Sequence, residues 1–519
     1  MSYPENPPPP PIADDVGDPP WRVDTLADSV MILLAMAALQ RVAGFLRAIL
    51  FCRWLEPEQL GQWDMAFSFL LLSAPLAVMA LPGAFGRYVE HYRQRGQLRT
   101  FLRRTTLTCT LLVLVGAGVV GLFRRWFSEL IFGTPEETTT VLLLAGSLVA
   151  VVAYNFSIEL FTALRNIRLV SVLQLMNSLA FALIGLGLIL GWKAEAASVI
   201  IGYGGACLIT ALVAGWRLRG VWHSTVPPAA PVGRKPFWAK LAPFAGWLLV
   251  VNLLANLFEV IDRYMIVHYS GAAANAALAE VGNYHSSRVI PMLLVTVAAM
   301  LGSMITPHLS HDWEAGNKKL VGRRLALFLK LFGFALCVGT TAVLVVSPLL
   351  FGWAFKGKFD GGLAVLPWTL TYCTWFAMLL ILQNYLWCAE KAYLSSVALG
   401  VGLAVNIVLN LVLLPPLGLL GAVLATTTAN LVALALICLF IGRLGFRFDV
   451  GTRVVLGLAP VVCLGPWLAL AVLAVVAAEA LWGNHLLTAD ERRQIAEQAE
   501  QYLDRLPWRR SARVPVHPA

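Results

Sequence analysis

Long apolar stretches recur along the whole chain and are separated by short polar connections. Each stretch holds enough apolar residues to cross a hydrocarbon core of roughly 30 Å, which an α-helix spans with about 20 residues. The thirteen stretches run over residues 26–50, 65–85, 105–123, 141–164, 170–192, 196–216, 241–269, 289–309, 325–347, 363–387, 394–414, 417–441 and 454–481. This pattern predicts an all-α polytopic membrane protein.

The composition supports a membrane protein, because hydrophobic residues make up 59% of the chain, charged residues 13%, and the mean hydropathy is +0.74. Lysine and arginine concentrate in alternate loops, as around Arg93 and Lys318, and such basic loops stay in the cytoplasm. The sequence therefore predicts a multi-pass protein of a bacterial cell (inner or plasma) membrane with a cytoplasmic N-terminus. Anionic lipid accounts for the net charge of +10, and no nucleic-acid partner is predicted.

The segments outside these stretches are short. Residues 1–25 are rich in proline and predict a disordered tail, and residues 218–240 predict a flexible cytoplasmic linker. The thirteenth stretch is predicted to be an extra transmembrane span that leaves the following segment outside. In that segment Thr488 and Glu491 have the spacing of a capping box, which predicts an amphipathic helix over 488–506 lying on the membrane.

The linker divides the first twelve spans into two groups of six, residues 26–217 and 241–442. The halves echo each other, since an aromatic residue follows glycine both in LGQW at 60–63 and in VGNY at 281–284. Two six-helix lobes of the same orientation predict a pseudo-two-fold repeat around a central cavity, an arrangement that alternating-access transporters use. The eight cysteines show no ligand spacing, so no metal site is predicted.

Three arginines occupy positions that are costly in a membrane. Arg41 and Arg47 lie inside the first span, where each guanidinium costs roughly 2.5–3.5 kcal/mol on insertion scales unless it faces water or an anion. Arg288 lies at the outer end of the eighth span. None of the three has a carboxylate nearby in its own helix, which indicates an interior path for an anionic cargo. Gln40 shares a helical face with Arg47 and is predicted to bind the same cargo.

Polar residues of the seventh span fall on one helical stripe. Asn252, Asn256 and Glu259 are spaced i, i+4 and i+7, and Asp262 and Arg263 follow. Such a stripe faces away from lipid, so Asn252 and Asn256 are predicted to bind substrate. Glu259 and Asp262 have two interpretations: an ion pair with Arg263 that only pins helices together, or coupling to Na⁺ or a proton.

Glu159 in the fourth span also has two interpretations, a hydrogen bond between helices or ion coupling. Neither the first nor the second span is predicted to contain a buried carboxylate. Apart from Na⁺, a proton or the membrane potential, no cofactor is predicted.

Three runs of sequence resemble one family. QRVAGFLRAILFCRW at 40–54, IDRYMIV at 261–267 and VNIVLNLVLLPPLGLLGAVLATTTAN at 405–430 are similar to the oligosaccharide (polysaccharide) flippases. These belong to the multidrug/oligosaccharidyl-lipid/polysaccharide exporter superfamily, together with the related lipid II flippases. The resemblance covers roughly residues 25–445 and is specific at superfamily level.

The resemblance implies two six-helix lobes around a cavity that opens alternately to each side. It also implies that Arg41, Arg47 and Arg288 line this cavity and contact the diphosphate of the cargo. The predicted function is therefore transport, by alternating access, of polyprenyl-diphosphate-linked oligosaccharide from the cytoplasmic to the outer leaflet for cell-surface polysaccharide synthesis. The predicted partners are this lipid-linked glycan, the lipid bilayer and polysaccharide synthesis enzymes.

Other functions stay open at this point. A lipid II flippase would move a related cargo, whereas a cation-coupled multidrug exporter would need an acidic site in the first lobe. A membrane glycosyltransferase or polymerase would need a larger catalytic region outside the membrane. The sequence contains no GxxxxGK[ST], HExxH or GxSxG motif, so the chain is not predicted to be an enzyme.

Overall fold

In the computed structural model, the described residues are 26–224, 233–483, 485–493 and 495–497, and among them there is no β-strand. Their helices are α1 (Leu26–Trp54), α2 (Pro57–Ala77), α3 (Phe85–Gln94), α4 (Leu98–Leu122), α5 (Arg124–Phe132), α6 (Thr138–Ala163), α7 (Ile167–Gly191), α8 (Ala196–Ser224), α9 (Arg234–Tyr269), α10 (Ala274–Arg288), α11 (Pro291–Glu314), α12 (Lys318–Leu349), α13 (Asp360–Cys388), α14 (Tyr393–Leu417), α15 (Leu419–Arg443), α16 (Val450–Leu458) and α17 (Pro466–Trp482). The prediction of an all-α protein is confirmed.

Eleven of the described helices are long and apolar enough to cross a membrane, and the bent pair formed by α2 and α3 makes twelve if it counts as one span. The first lobe comprises α1 to α8, in which α1 packs on α7 and α6 packs on α8. The second lobe comprises α9 to α15, in which α9 packs on α14 and α13 on α11 and α15. The two lobes of the sequence prediction are therefore present.

The second span differs from its predicted position. It was expected over residues 65–85, but α2 begins at Pro57 and ends at Ala77. Met79 and Ala80 then take positive φ angles of 51° and 49°, and the chain bends by 60° into a 3₁₀ turn and α3. The difference arises because the first turns of α2 contain polar residues that a hydropathy pattern excludes. Gln59 and Gln62 bond to Ala196 and Glu137 of the first lobe, and Asp64 bonds to the second lobe.

The lobes meet where α2 crosses α10, a contact that we call the seam. A Cβ atom on Gly61 would collide with the carbonyl oxygen of Leu278, and one on Gly282 would collide with that of Pro57. Only glycine permits this approach of two backbones. The two glycines belong to the echoed LGQW and VGNY sequences, so the repeat noticed in the sequence forms the contact between the lobes.

Further contacts join the lobes beside the seam, at the end of the molecule that is predicted to face outside and that we call the outer end. Arg53 Nη1 donates to the carbonyl oxygen of Trp353 at 2.9 Å, and Lys358 Nζ lies 2.7 Å from Glu56 Oε1. The outer end is therefore closed in this structure.

The predicted thirteenth span is divided into two short segments. α16 passes into a 3₁₀ helix that ends at Leu464, Gly465 takes a φ of 99°, and Pro466 begins α17. At 1.5 Å per residue, α17 rises roughly 25 Å, which is less than a hydrocarbon core of about 30 Å. A proline that follows a glycine with positive φ separates the two segments, which an apolar composition does not reveal.

The two segments form a hairpin that folds back. The carbonyl oxygen of Leu486, after α17, packs against Gly451 at the start of α16. The chain therefore returns to the side from which it left α15. This corrects the expectation that the thirteenth span leaves the following segment on the opposite side.

Lys330 of α12 fastens the segment after the hairpin. Its side chain is 1% exposed and donates to Glu491 Oε1 and Oε2 at 2.9 and 3.0 Å, and it also pairs with Asp449. Burial disfavours the Asp449 carboxylate, but hydrogen bonds from Lys330 and Thr452 outweigh this effect, so the pKa of Asp449 lies below its usual range. This part of the chain is therefore anchored to the second lobe through charged groups.

The predicted soluble segments are described only in part. The capping box is present, because Glu491 N donates to Thr488 Oγ1 at 3.3 Å and Thr488 N donates to Glu491 Oε2 at 2.9 Å. The amphipathic helix predicted over 488–506 is described only as far as residue 497. The predicted tail, residues 1–25, lies outside the described residues. Of the predicted linker, residues 225–232 also do, while α8 and α9 take up its two ends.

Candidate functional site

Two adjoining cavities occupy the centre of the molecule. The first, which we call the first-lobe cavity, has a volume of about 320 Å³. The bend after α2 forms one wall, with Pro75 and Pro82 among its lining residues. The polar residues that line it are Asn155, Glu159, Tyr203, Asn252 and Asn256. The structure therefore brings Glu159 of the fourth span together with Asn252 and Asn256 from the stripe predicted on the seventh span.

The second cavity, which we call the arginine cavity, has a volume of about 190 Å³. Its polar lining residues are Asn256, Glu259, Asp262, Tyr284, Arg288, Tyr372, Thr426 and Asn430. Asn256 lines both cavities and donates to the carbonyl oxygen of Leu71 at 3.2 Å across the lobes. The two cavities are thus adjacent parts of one polar interior.

Arg288 is the cation of the arginine cavity. The residue is 7% exposed, and its guanidinium carbon lies 5.2 Å from the centre of the Tyr284 ring. Nη2 lies 3.9 Å from the sulfur of Met292, while Nε and Nη1 have no hydrogen-bond partner among the described residues. Buried guanidinium groups are normally hydrogen-bonded, so a guanidinium in a cavity wall with two donors that lack a partner among the described residues forms a site suited to an anion.

Asp262 is held in a different way. It accepts hydrogen bonds from Asn406 at 2.8 Å, Asn410 at 3.0 Å, Thr426 at 2.7 Å and Tyr284 at 3.0 Å. These donors lie on three other helices, so the carboxylate joins α9, α10, α14 and α15. Four partners occupy the lone pairs of both oxygens, which favours a structural role in the second lobe over a role as a free ion ligand.

The partner of Arg263 is on the other lobe. Its Nε donates to Asp64 Oδ2 at 2.6 Å, and His285 Nδ1 lies 2.9 Å from Asp64 Oδ1. Glu259 contributes only its backbone carbonyl oxygen, at 3.4 Å from Arg263 Nη1. The expected pair of Glu259 and Arg263 within one helix is therefore not the arrangement found, because a more deeply buried carboxylate competes for the guanidinium.

Asp64 is the functional residue that the sequence analysis missed. It is 1% exposed and lies in the second span, which corrects the expectation that the first two spans contain no buried carboxylate. The predicted span began one residue later. A signal was nevertheless present, since Asp64 follows LGQW as His285 follows VGNY, and equivalent positions of a two-fold repeat meet at its axis.

The arginines of the first span lie apart from the arginine cavity. Arg41 is exposed, whereas the Arg47 guanidinium lies 4.1 Å from the centre of the Phe181 ring and 3.5 Å from the carbonyl oxygen of Ser178. Phe181 packs at 5.1 Å against Tyr203, which lines the first-lobe cavity. Arg47 is thus connected to the cavity wall through two rings. The backbone carbonyl of Gln40 accepts from Ser178 at 3.4 Å.

Glu159 and Glu259 each line a cavity, and neither carboxylate takes part in an ion pair described in this structure. Within the described ranges, no group of three or more His, Cys, Asp or Glu side chains is placed to hold a metal ion.

All eight cysteines are unpaired, six of them buried and two half-buried.

The comparisons with known proteins agree with this architecture. A family model described as polysaccharide biosynthesis protein matches residues 26–313. The chain belongs to this family. The chain is 21% identical over 446 residues to the lipid II flippase MurJ of Bacillus subtilis (strain 168), and the match covers 79% of this chain and 81% of that relative. The resemblance inferred from the sequence is confirmed.

Two solved structures share the fold of this polysaccharide biosynthesis protein. A lipid II flippase MurJ in an inward closed conformation matches with a TM-score of 0.66 and 15% identity, covering 91% of this chain and 97% of that one. An inward-facing multidrug resistance MATE family transporter of the MOP superfamily matches with a TM-score of 0.59 and 13% identity, covering 79% and 98%. The fold is thus that of multi-pass membrane transporters with two lobes.

Proposed function

We propose that this protein is a flippase that carries a polyprenyl-diphosphate-linked oligosaccharide from the inner to the outer leaflet by alternating access, and that it is not an enzyme. The observation that carries the proposal is the arginine cavity, in which Arg288 is buried and two of its donors have no partner in the part of the chain that the structure describes. Relatives that are flippases, and the family name, support a lipid-linked cargo.

A diphosphate is the anion that this site fits well. A guanidinium stays charged and donates two parallel hydrogen bonds to phosphate oxygens. A diphosphate joined to a sugar cannot cross hydrocarbon unaided, so the protein must supply a polar interior while the prenyl chain remains in lipid. Moving the negative charge outward is helped by an inside-negative potential, at about 2.3 kcal/mol per charge per 100 mV.

The first-lobe cavity suits the sugar part of such a cargo. Asn155, Asn252 and Asn256 supply amide donors and acceptors, Tyr203 supplies a ring face, and Glu159 accepts from hydroxyl or amide groups. Because Asn256 lines both cavities, a glycan in the first cavity would have its diphosphate within reach of the second.

Arg41, Arg47 and Gln40 complete the proposed cargo path on the first span. Arg47 rests on Phe181, one ring behind Tyr203, so a turn of these rings would bring its charge to the cavity. Glu159 and Glu259 are the carboxylates through which Na⁺ or a proton could couple to transport. Asp262 is a weaker choice because its oxygens are already occupied.

A lipid II flippase is the second candidate, because a flippase of that name resembles this chain over 97% of its own structure. Both cargoes share a polyprenyl diphosphate, so the arginine cavity fits either. The two cargoes differ in their sugar part, which would bind in the first-lobe cavity.

Transport into proteoliposomes tests the proposal. Purified protein is reconstituted with either lipid II or an undecaprenyl-diphosphate-linked oligosaccharide without a peptide, and exposure of each lipid on the far leaflet is followed with time. We expect wild-type protein to move the oligosaccharide lipid faster and an Arg288→Ala variant to move neither. Faster movement of lipid II would favour the second candidate, and wild-type rates of the correctly folded variant would refute an arginine-dependent mechanism.

A further inference from the structure

The seam carries a titratable pair formed by the two lobes. Asp64 on α2 and His285 on α10 follow the echoed sequences LGQW and VGNY, so they occupy equivalent positions of the repeat. His285 Nδ1 lies 2.9 Å from Asp64 Oδ1, and Gly61 and Gly282 hold the two helices together one turn away. Any separation of the lobes at the outer end must break this contact.

The geometry identifies the atom of His285 that can take up a proton. Asp64 also accepts from Arg263 Nε at 2.6 Å, which keeps the carboxylate ionised as an acceptor, so Nδ1 of His285 carries the hydrogen that it donates. Nε2 is then the ring atom at which a proton can bind. The His285 side chain is 24% exposed and Nε2 has no hydrogen-bond partner among the described residues, whereas the Asp64 side chain is 2% exposed.

The charged groups around the pair carry an excess negative charge that one proton would balance. The charged and titratable groups that line the arginine cavity or bond to the pair are Asp64 on α2, Glu259, Asp262 and Arg263 on α9, Tyr284 and Arg288 on α10, and Tyr372 on α13. Counted as ionised, three carboxylates face two guanidinium groups, so the cluster has one negative charge in excess. A proton on His285 balances that charge, and a histidine gains or loses a proton between about pH 5 and 8.

We propose that His285 and Asp64 form a proton-binding site that controls opening of the outer end. With Nε2 protonated, His285 and Asp64 form a charge-assisted pair across the seam, which holds the lobes together. Loss of the proton removes the positive charge of His285 and leaves a weaker hydrogen bond from a neutral imidazole to the Asp64 carboxylate, and the seam can part. The inference rests on the alternating access of the proposed function.

The site would couple a proton gradient to the transport cycle. A proton from an acidic outside binds Nε2 of the empty, outward-open protein and favours closure of the outer end. Release of the same proton to the inside then leaves the seam ready to open with cargo. One proton would thus move from outside to inside each time the empty protein returns to the inward-facing state. No covalent bond forms or breaks in this cycle.

Distances between spin labels test this proposal without any lipid-linked cargo. Gly191 and Gly352 lie at the outer ends of opposite lobes, and a Cβ atom at either position would meet open space. The native cysteines are buried or half-buried, so labels go selectively to Gly191→Cys and Gly352→Cys. In liposomes we expect the label distance to lengthen as the pH rises from about 5 to 8, the range in which histidine changes charge.

Two variants in the labelled protein decide the outcome. His285→Gln keeps a hydrogen-bond donor for Asp64 but cannot be charged, so the label distance should no longer change with pH. Lys358→Gln is the matched control, because it removes the outer contact with Glu56 but no group that titrates in this range, so the distance should lengthen and still respond to pH. A wild-type distance that does not depend on pH, or a pH response that persists in His285→Gln, would overturn the proposal. Neither result bears on whether Arg288 binds a diphosphate.

Discussion

The two cavities adjoin at Asn256 but differ in their charged groups. Among the described lining residues of the first-lobe cavity, Glu159 is the only charged one, and amides and Tyr203 make up the rest of its polar surface. The arginine cavity is smaller and contains Arg288 with two carboxylates. Under the proposed function, the larger cavity would take the neutral sugars of the cargo and the smaller cavity its anionic diphosphate.

The largest effect is expected at Arg288. An Arg288→Ala variant loses charge-assisted hydrogen bonds of about 1.5–3 kcal/mol each, so the initial rate of transport in proteoliposomes should fall at least about tenfold. Arg288→Lys keeps the charge but lacks the planar guanidinium group, so its transport rate should lie between those of the wild type and the alanine variant. Equal rates for the lysine and alanine variants would show that charge at this position is irrelevant to the cargo.

Substitution of Asp262 should lower the stability of the fold, whereas substitution of Glu259 should affect transport and leave the fold stable. An Asp262→Ala variant removes the acceptor that Asn406, Asn410 and Thr426 share. Thr426 can still donate to the carbonyl oxygen of Ala422, but each buried donor that finds no other acceptor costs about 1–3 kcal/mol. The folded yield and the thermal unfolding temperature in detergent should therefore drop. Glu259→Gln is the matched control on the same helix and should unfold like the wild type. A stable Asp262→Ala protein would remove the structural role that we assign to this carboxylate.

Arg47 should have an intermediate effect because it reaches the first-lobe cavity only through Phe181 and Tyr203. Arg47→Ala loses a cation–π contact of about 0.5–2 kcal/mol together with the charge, and we expect transport to fall roughly three- to tenfold. Arg47→Met fills the space of the side-chain stem without charge. If the methionine variant transports at the wild-type rate, Arg47 serves packing alone.

Glu159 should have the smallest effect, and that effect should depend on the sugar. A Glu159→Gln variant keeps the shape of the side chain and loses the charge that strengthens hydrogen bonds from the glycan, so transport should fall about two- to fivefold. Glu195→Gln, in an exposed loop outside both cavities, provides the control. Comparison of two lipid-linked glycans gives the measurement, and an identical decrease for both would contradict recognition of sugar in this cavity.

The hydrophobic pattern predicted the spans and lobes well because burial in lipid requires long apolar helices regardless of how they pack. It failed where packing or backbone geometry decides. Asp64 fell outside the predicted second span because polar residues interrupt the apolar run, although contacts with both lobes satisfy them. Its bond to Arg263 joins residues 199 positions apart, a separation that no helical spacing reveals. The hairpin depends on the positive φ of Gly465, which hydropathy does not record.

The charges of Arg288 and Arg47 illustrate the same limit within the site. Both were predicted from their cost in a membrane; Arg288 is buried, whereas Arg47 is half-buried and lies over Phe181. The sequence could not show that one guanidinium has free donors while the other rests on an aromatic ring, because this depends on neighbours from distant helices. The sequence thus locates charged residues that are costly in a membrane. Only tertiary contacts reveal which of them keep hydrogen-bond donors available for a ligand.

The hairpin formed by α16 and α17 also fixes where the rest of the chain emerges. A segment that turns back at Gly465 returns to the end of the molecule at which α15 finishes, as the contact of Leu486 with Gly451 shows. The described residues after α17, held there by the bond from Lys330 to Glu491, therefore lie at the end of the second lobe opposite to the closed outer end. Opening of the outer end would leave this anchor intact.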